Sequence, residues 1–411
     1  GAQVRPSFNI YSIAKNGHSL MAYPLSGLKV LDLSRVLAGP FAGRMLSDLG
    51  ADVVKVEPPD GDITRYWGKD ISGLPGYYHQ QNAGKRNICI DLRAEGASDL
   101  IKKMVLEADI LIENYRPDVM PRLGIGYEAL KEVNPRLIML SISGFGHDGP
   151  ESRRAAYAPV VHAESGLLYR MHERSGLPYH DLPLSVADTN ASLHGLVGLL
   201  SAVIMRNSTG LGQHIDIAMI DATLATDDQV HYDLEDAHPT GPLPNEIWDA
   251  PFGPVLISTD FRVLFPLLVK HLGVVDPSNK DMTLEEKIAA RRSTVDAFVQ
   301  TLDSLEKLDE AMKTINIAWG EIRNPVDISN QPTIASRNSI VQMDDREGGT
   351  RPITQSPYRF SNAESGVRGP APHRGEHNVE ILSDWLGLSP AEISSLQTED
   401  VILFDADWKH H

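Results

Sequence analysis

The sequence predicts an α/β fold built on a parallel sheet, with a second, smaller domain beside it, and three observations carry that expectation. Short apolar runs alternate with helix-spaced segments from residue 27 to residue 219. The length of 411 residues exceeds what one hydrophobic core usually organises. Beyond about residue 235 the alternation breaks into Pro239, Pro242, Pro244, Pro251 and Pro254, a density of prolines that marks a crossover into another domain.

The first apolar run is 28–33, followed by helical spacing over 41–49 and a second run over 51–56, which together read as a βαβ unit. The pattern repeats with a strand at 87–92, a helix at 97–107, a strand at 109–113, a helix at 127–133 and a strand at 137–142. A longer helix is expected over 191–206, stopped by Asn207-Ser208-Thr209-Gly210, with a strand at 213–219. Such repetition implies parallel strands covered by helices, with ligands at the carboxyl ends of the strands. Charge-rich helical segments then occupy 284–315, and glycine- and proline-rich sequence returns at 348–375. The tail reads as two short helices, 378–386 and 389–396, the second capped by Ser389.

A net charge of -17 opposes a nucleic-acid partner, because phosphate backbones are held by clustered Lys and Arg. An anionic ligand would need a local basic pocket. The only cysteine, Cys89, excludes an intrachain disulfide and a multi-cysteine metal cluster, and its place in an alternating strand reads as a buried, inert thiol. The longest apolar stretch, 193–205, is too short for a membrane span and contains His194. With no signal-peptide pattern in the first twenty residues, a cytoplasmic location without a membrane partner is expected. Residues 1–24 read as an extension or tag remnant, and Lys409-His410-His411 as the stub of a tag.

Several familiar signatures are missing. The first strand is followed by Ser34-Arg35-Val36-Leu37-Ala38-Gly39-Pro40 rather than GxGxxG, and neither a phosphate-binding GxxxxGK[ST] nor a GxSxG elbow occurs. The histidines show no HExxH or paired spacing, so no metal is expected. Polar groups at strand ends remain. Lys85-Arg86, Asn114-Tyr115-Arg116-Pro117 and Arg122 could hold a phosphate-bearing ligand or simply solvate the surface. Asp188, in Val186-Ala187-Asp188-Thr189-Asn190, could cap a helix or stay ionised as a nucleophile.

Taken in order, these pieces resemble the class III CoA-transferases, such as formyl-CoA transferase and carnitine CoA-transferase, whose fold is shared with the α-methylacyl-CoA racemases. The resemblance opens with Gly27-Leu28-Lys29-Val30-Leu31-Asp32-Leu33-Ser34, Ala38-Gly39-Pro40 and Leu49 to Glu57. It continues through Gly61-Asp62, Lys85-Arg86, Glu113 to Pro117, Asn134-Pro135-Arg136, Gly144-Phe145-Gly146, Thr209 to Gln213 and Gly375-Glu376-His377.

The resemblance implies a Rossmann-like large domain, a smaller α+β domain and a ring-like, interlocked homodimer. The divisions then expected are 25–235 for the first part of the CoA-binding domain, 236–340 for the small domain with its connections, and 341–411 for a returning segment. It further implies that Asp188 is the nucleophile of an acyl-CoA:carboxylate CoA-transferase. The carboxylate would attack an acyl-CoA to give a mixed anhydride and then an aspartyl-CoA thioester, with neither ATP nor metal. The substrates are an acyl-CoA and a small carboxylic acid. By the same matching, coenzyme A falls against Ala38, Ile90, Asp91, Leu92, Arg93, Asn114, Tyr115, Arg116 and Arg122. Where formyl-CoA transferase has a glutamine this chain has Leu37, and no glycine run occurs between 235 and 262, so the formyl/oxalate pair is not expected. The racemase His-Asp pair is replaced by Tyr157-Ala158, which favours transfer over proton abstraction. Tyr157, His162 and Glu164 stand as candidates to support the nucleophile. An acyl-CoA isomerase or a non-catalytic CoA-binding homologue remains the alternative.

Overall fold

A computed structural model describes residues 22–241 and 245–404, so most of the expected N-terminal extension, Pro242, Pro244 and the terminal Lys409-His410-His411 lie outside the described residues. The chain divides into two compact units, Gly1–Asp228 with Ser336–His411, and Gln229–Ala335.

The first unit is organised by a mixed but mainly parallel sheet. Its strands are β1 (Lys29–Asp32), β2 (Asp52–Glu57), β3 (Arg86–Ile90), β4 (Ile110–Glu113), β5 (Ile138–Ser143), β6 (His214–Ala218) and the short β7 (Ile402–Leu403). They lie in the order β7-β3-β2-β1-β4-β5-β6, with β1 to β6 parallel and β7 antiparallel on β3. The chain winds outward from β1 through β2 to β3, then crosses to β4 and winds the other way. The reversal between β1 and β4 opens a crevice at the carboxyl ends of these two strands, where doubly wound sheets bind ligands.

Both faces of the sheet are covered, which is why β1 and β4 read as apolar runs rather than as alternation. Leu31, Val54, Ile88 and Leu111 face α3 (Ala97–Glu107), Leu130 of α4 (Tyr127–Val133), and Ile381, Leu382 and Trp385 of α8 (Asn378–Leu386). On the other face Val30, Val53, Ile110 and Leu140 pack against α1 (Ala38–Asp48), α5 (Ala158–Glu164) and α7 (Val186–Thr209). Two further helices, α2 (Gly76–Asn82) and α6 (Leu167–Ser175), complete the elements used below.

The long helix begins at Val186, five residues before the start expected from the sequence, because Ala187 and Ala191 extend its buried face one turn further. Helices α5 and α6 have no counterpart in the sequence expectation; α6 buries no residue, so it lacks the apolar stripe that would reveal it. The tail helix capped by Ser389 has a full capping box with Glu392.

The second unit contains an antiparallel sheet of Glu246–Ala250, Gly253–Ile257 and Trp319–Glu321. Helices Phe261–Leu272, Leu284–Gln300 and Leu305–Thr314 cover it around Trp248, Val255, Leu264, Leu268, Val295 and Leu308. Among the described residues no helix is long and apolar enough to cross a membrane.

Candidate active site

The turn that follows β1 is clamped on both sides. Asp32, wholly buried, accepts from Lys85 Nζ at 2.7 Å and from the Ser34 amide at 3.0 Å, while Lys55 Nζ bonds to the Ser34 carbonyl and to Asp62, each at 3.0 Å. Burial works against the charge on Asp62, but Lys55 and the Thr64 amide hold it down to about 2. Asp62 also accepts the amide of Val36 at 3.2 Å, a residue held at φ 69, where a β-branched side chain is strained. From the other side of the switch point, Asn114 bonds to both backbone groups of Arg35, Oδ1 accepting at 2.8 Å and Nδ2 donating at 2.7 Å, and the Arg35 guanidinium lies 4.9 Å over the Tyr115 ring.

This clamp corrects one sequence expectation. Lys85 is locked inside the fold against Asp32, Pro40 and Asn82, and Arg86 is shared among Asp52, Glu380 and Asp384, so both cations are consumed by internal partners. Their place at a strand end gave no sign of this, since the charged partners come from other strands and from α8.

The turn delivers the start of α1 to the crevice with no acidic residue in its first turn, leaving the positive end of the helix dipole unopposed by its own sequence. The opposing charge is Asp188. It is the third residue of α7, not its cap: Ser185 holds the N-cap position and makes no side-chain cap bond. Burial pushes the Asp188 carboxyl up to about 6, while the amides of Ala158 and Ala38 favour its charged form. Ser192, one turn further along α7, bonds to the Ala38 carbonyl and ties the two helices together. At neutral pH Asp188 is thus mostly ionised, partly desolvated and aimed at amide donors, the state a carboxylate nucleophile needs.

Tyr77 on α2 was not singled out by its sequence. Burial, then the charges of Asp188 and Asp62, raise its phenol above the ordinary range, and its ring meets Trp67 edge-on at 5.1 Å. Glu113 was likewise noted only as part of a longer motif. It is buried beneath Asn114 and Tyr115, accepts the Tyr115 amide at 2.9 Å, and is pushed up to about 7 by burial.

The remaining expected residues separate into groups. Leu92, Arg93 and Arg122 line one open cleft of about 410 Å³, together with Gly96 and Ser98 at the start of α3. Both guanidinium groups are largely exposed and make only surface pairs, Arg93 with Asp91 at 3.2 Å and Arg122 with Asp118 at 3.7 Å. Such pairs are weak enough to yield to a phosphate. Arg116 is exposed, and Ile90 has its side chain in the core, leaving only its backbone for a ligand. Asn114 and Tyr115 serve the clamp. Tyr157 stands in solvent, 70% exposed, and Glu164 pairs with Arg154 at the surface at 2.5 Å. His162 reaches the first turn of α7, accepting the Ala187 amide at 3.1 Å. Cys89 is buried, its thiol pushed up to about 12 by burial. Among the described residues no group of three or more His, Cys, Asp or Glu is placed to hold a metal ion.

The pattern of CoA-transferase family III matches residues 25–378. This chain belongs to CoA-transferase family III. Family III relatives include the succinate–glutarate CoA-transferase of Agrobacterium fabrum, 32% identical over 385 residues covering 88% of this chain and 95% of that protein. The acetyl-CoA:oxalate CoA-transferase of Acetobacter aceti is 33% identical over 382 residues, covering 88% and 96%. A solved CAIB/BAIF family protein from Brucella suis superposes with a TM-score of 0.74 at 31% identity, covering 89% of this chain and all of that one. The chain is accordingly a CoA-transferase by family, and CoA thioesters are the substrates of family III.

Proposed function

We infer that this family III enzyme moves CoA from an acyl-CoA to a small carboxylic acid through covalent intermediates on Asp188. The observation that carries the reading is a half-buried carboxylate at the carboxyl-terminal crevice of the sheet, mostly ionised at neutral pH and favoured in its charged form by the amides of Ala38 and Ala158. An Asp188 oxygen attacks the thioester carbonyl carbon, the C–S bond breaks, and CoA leaves as thiolate with a mixed anhydride on the enzyme. The thiolate then attacks the aspartyl carbonyl of the anhydride, releasing the first acid as carboxylate and leaving an aspartyl-CoA thioester. The second acid's carboxylate attacks that thioester and again expels CoA thiolate. Attack of this thiolate on the new acyl carbonyl yields the product acyl-CoA and restores Asp188. The Ala38 and Ala158 amides would hold the oxygen on which charge develops. No step consumes ATP or calls for a metal.

Leu92, Arg93 and Arg122 are proposed to hold the nucleotide end of CoA, supported by their shared cleft and their lightly held guanidinium groups. Short dicarboxylic acids are proposed as substrates, supported by the names of the two relatives. An α-proton isomerisation is less well supported, since Tyr157 faces solvent and Ala158 offers Asp188 only its amide. An interlocked homodimer in the cytoplasm is part of the same reading. The exposed apolar side chains of Leu193, Val197 and Ile204 on α7 and of Leu211 beyond it support association of some kind.

The test uses a panel of short acyl-CoAs and free dicarboxylates. Wild type should transfer CoA, and mass spectrometry should find acyl or CoA on the peptide holding Asp188. Asp188→Ala should abolish both, and Asp188→Asn nearly so; a fully active alanine variant would sink the reading.

A further inference from the structure

His162 is fully buried in α5, yet both of its ring nitrogens are engaged. Nε2 lies 3.1 Å from the backbone nitrogen of Ala187, and Nδ1 lies 2.8 Å from Asp181 Oδ1. A backbone N–H can only donate, so Nε2 is the bare, accepting nitrogen. The ring proton therefore sits on Nδ1, where Asp181 accepts it.

That contact puts the imidazole where a helix-capping side chain ordinarily works. The first turn of a helix leaves N–H groups without partners inside the helix, and a side-chain acceptor at the N-cap usually takes one of them. Ser185 takes none in α7. The Ala187 amide is one of these orphan donors, it is buried, and the next residue is Asp188. An imidazole from a neighbouring helix does what the local sequence leaves undone.

We propose that His162 is a positioning residue for Asp188: an external cap, locked as the Nδ1–H tautomer by Asp181, that fixes the first turn of α7 and so the direction of the nucleophile. The proposal rests on Asp188 being the nucleophile. Covalent attack needs the reacting atoms held near 3 to 3.5 Å and aligned, and a displacement of about 1 Å can cost roughly a hundredfold in rate. A loosened first turn would move the carboxylate off the Ala38 and Ala158 amides without touching the CoA cleft. Asp181 comes from the irregular segment between α6 and α7 and is partly exposed, so the lock can be removed without emptying the core.

The experiment compares His162→Leu, His162→Gln and Asp181→Ala with wild type by kcat, KM for acyl-CoA, rate of adduct formation on Asp188, and amide exchange at Ala187. Leucine keeps bulk and removes the acceptor, whereas glutamine can set its Oε1 near the place of Nε2. His162→Leu should lower kcat and adduct formation by about ten- to a hundredfold, with KM within about twofold. His162→Gln should recover most of the loss. Asp181→Ala, which frees the tautomer, should fall between the two.

Wild-type kcat in His162→Leu, or equal impairment in the leucine and glutamine variants, overturns the proposal. If His162→Leu does not fold, Asp181→Ala decides, and an unchanged kcat there overturns it. Absence of any adduct in wild type would instead overturn the reading of Asp188. The cap would then still be judged by Ala187 exchange, which His162→Leu should accelerate and which, unchanged, refutes it.

Discussion

At Asp188 two requirements oppose one another, because a carboxylate must be ionised to attack and desolvated to attack well. Burial raises its pKa to about 6, so ionisation falls roughly tenfold for each pH unit below that. Transfer should accordingly show an acid limb near pH 6 with a slope of one, measured as log kcat/KM against pH. Stability should respond in the opposite sense. A carboxyl whose pKa is raised from its ordinary 3.8 to about 6 contributes stability that is fully present below pH 3.8 and lost as pH rises through 6. Asp188→Asn should therefore melt higher than wild type at pH 8, with the difference vanishing toward pH 4. Arg93 and Arg122 make a separate prediction. Losing either charge-assisted contact should cost about 1.5 to 3 kcal/mol of CoA binding, roughly ten- to a hundredfold in affinity. Calorimetric titration of Arg93→Ala and Arg122→Ala checks this, and unchanged affinity in both would mean they merely solvate the surface. Of these residues, the sequence marked Asp188, Arg93 and Arg122 by motif order. It could not mark Tyr77, whose phenol feels the charge of Asp188 from more than a hundred residues away in the chain.

Among the elements, the turn from β1 into α1 shows what a motif can hide. Ala38-Gly39-Pro40 is easily recognised, but only packing gives the reason for its glycine. A Cβ on Gly39 would lie 2.0 Å from Ser34 Cβ, and Ser34 cannot retreat because its amide and hydroxyl are bound to Asp32. Gly39→Ala should destabilise the first unit by about 1 to 3 kcal/mol, the usual range for overpacking, read as a lower urea midpoint at unchanged slope. The six parallel strands of the large sheet, and helices α1, α3, α4 and α8 around it, were legible because their apolar spacing is a local property. The start of α7 was misplaced by five residues, since the alanines and glycines of its buried face carry little hydrophobic signal. Lys85 and Arg86 looked available for the same reason that Asp188 looked like a cap: sequence gives a residue's neighbours along the chain, not its partners across the sheet.

For the molecule as a whole, the interlocked dimer is the proposal that dilution can test. If the returning segment closes a ring around a partner chain, subunits cannot part without unfolding. Sedimentation from micromolar to nanomolar protein should then give one dimeric species throughout. A surface dimer would instead dissociate by mass action, and a reversible monomer under native conditions excludes interlocking. By itself the sequence determined the α/β class, the absence of dinucleotide and P-loop signatures, and the family through the order of its short motifs. All of these depend on spacing and residue type along the chain. Only the tertiary structure decided that the sheet reverses between β1 and β4, that Lys55, Lys85 and Arg86 are spent inside the fold, and that Asp188 meets the amides of Ala38 and Ala158 while His162 holds its helix. Each of these joins residues far apart in sequence. Burial and electrostatics act through space, so no local pattern could have carried them.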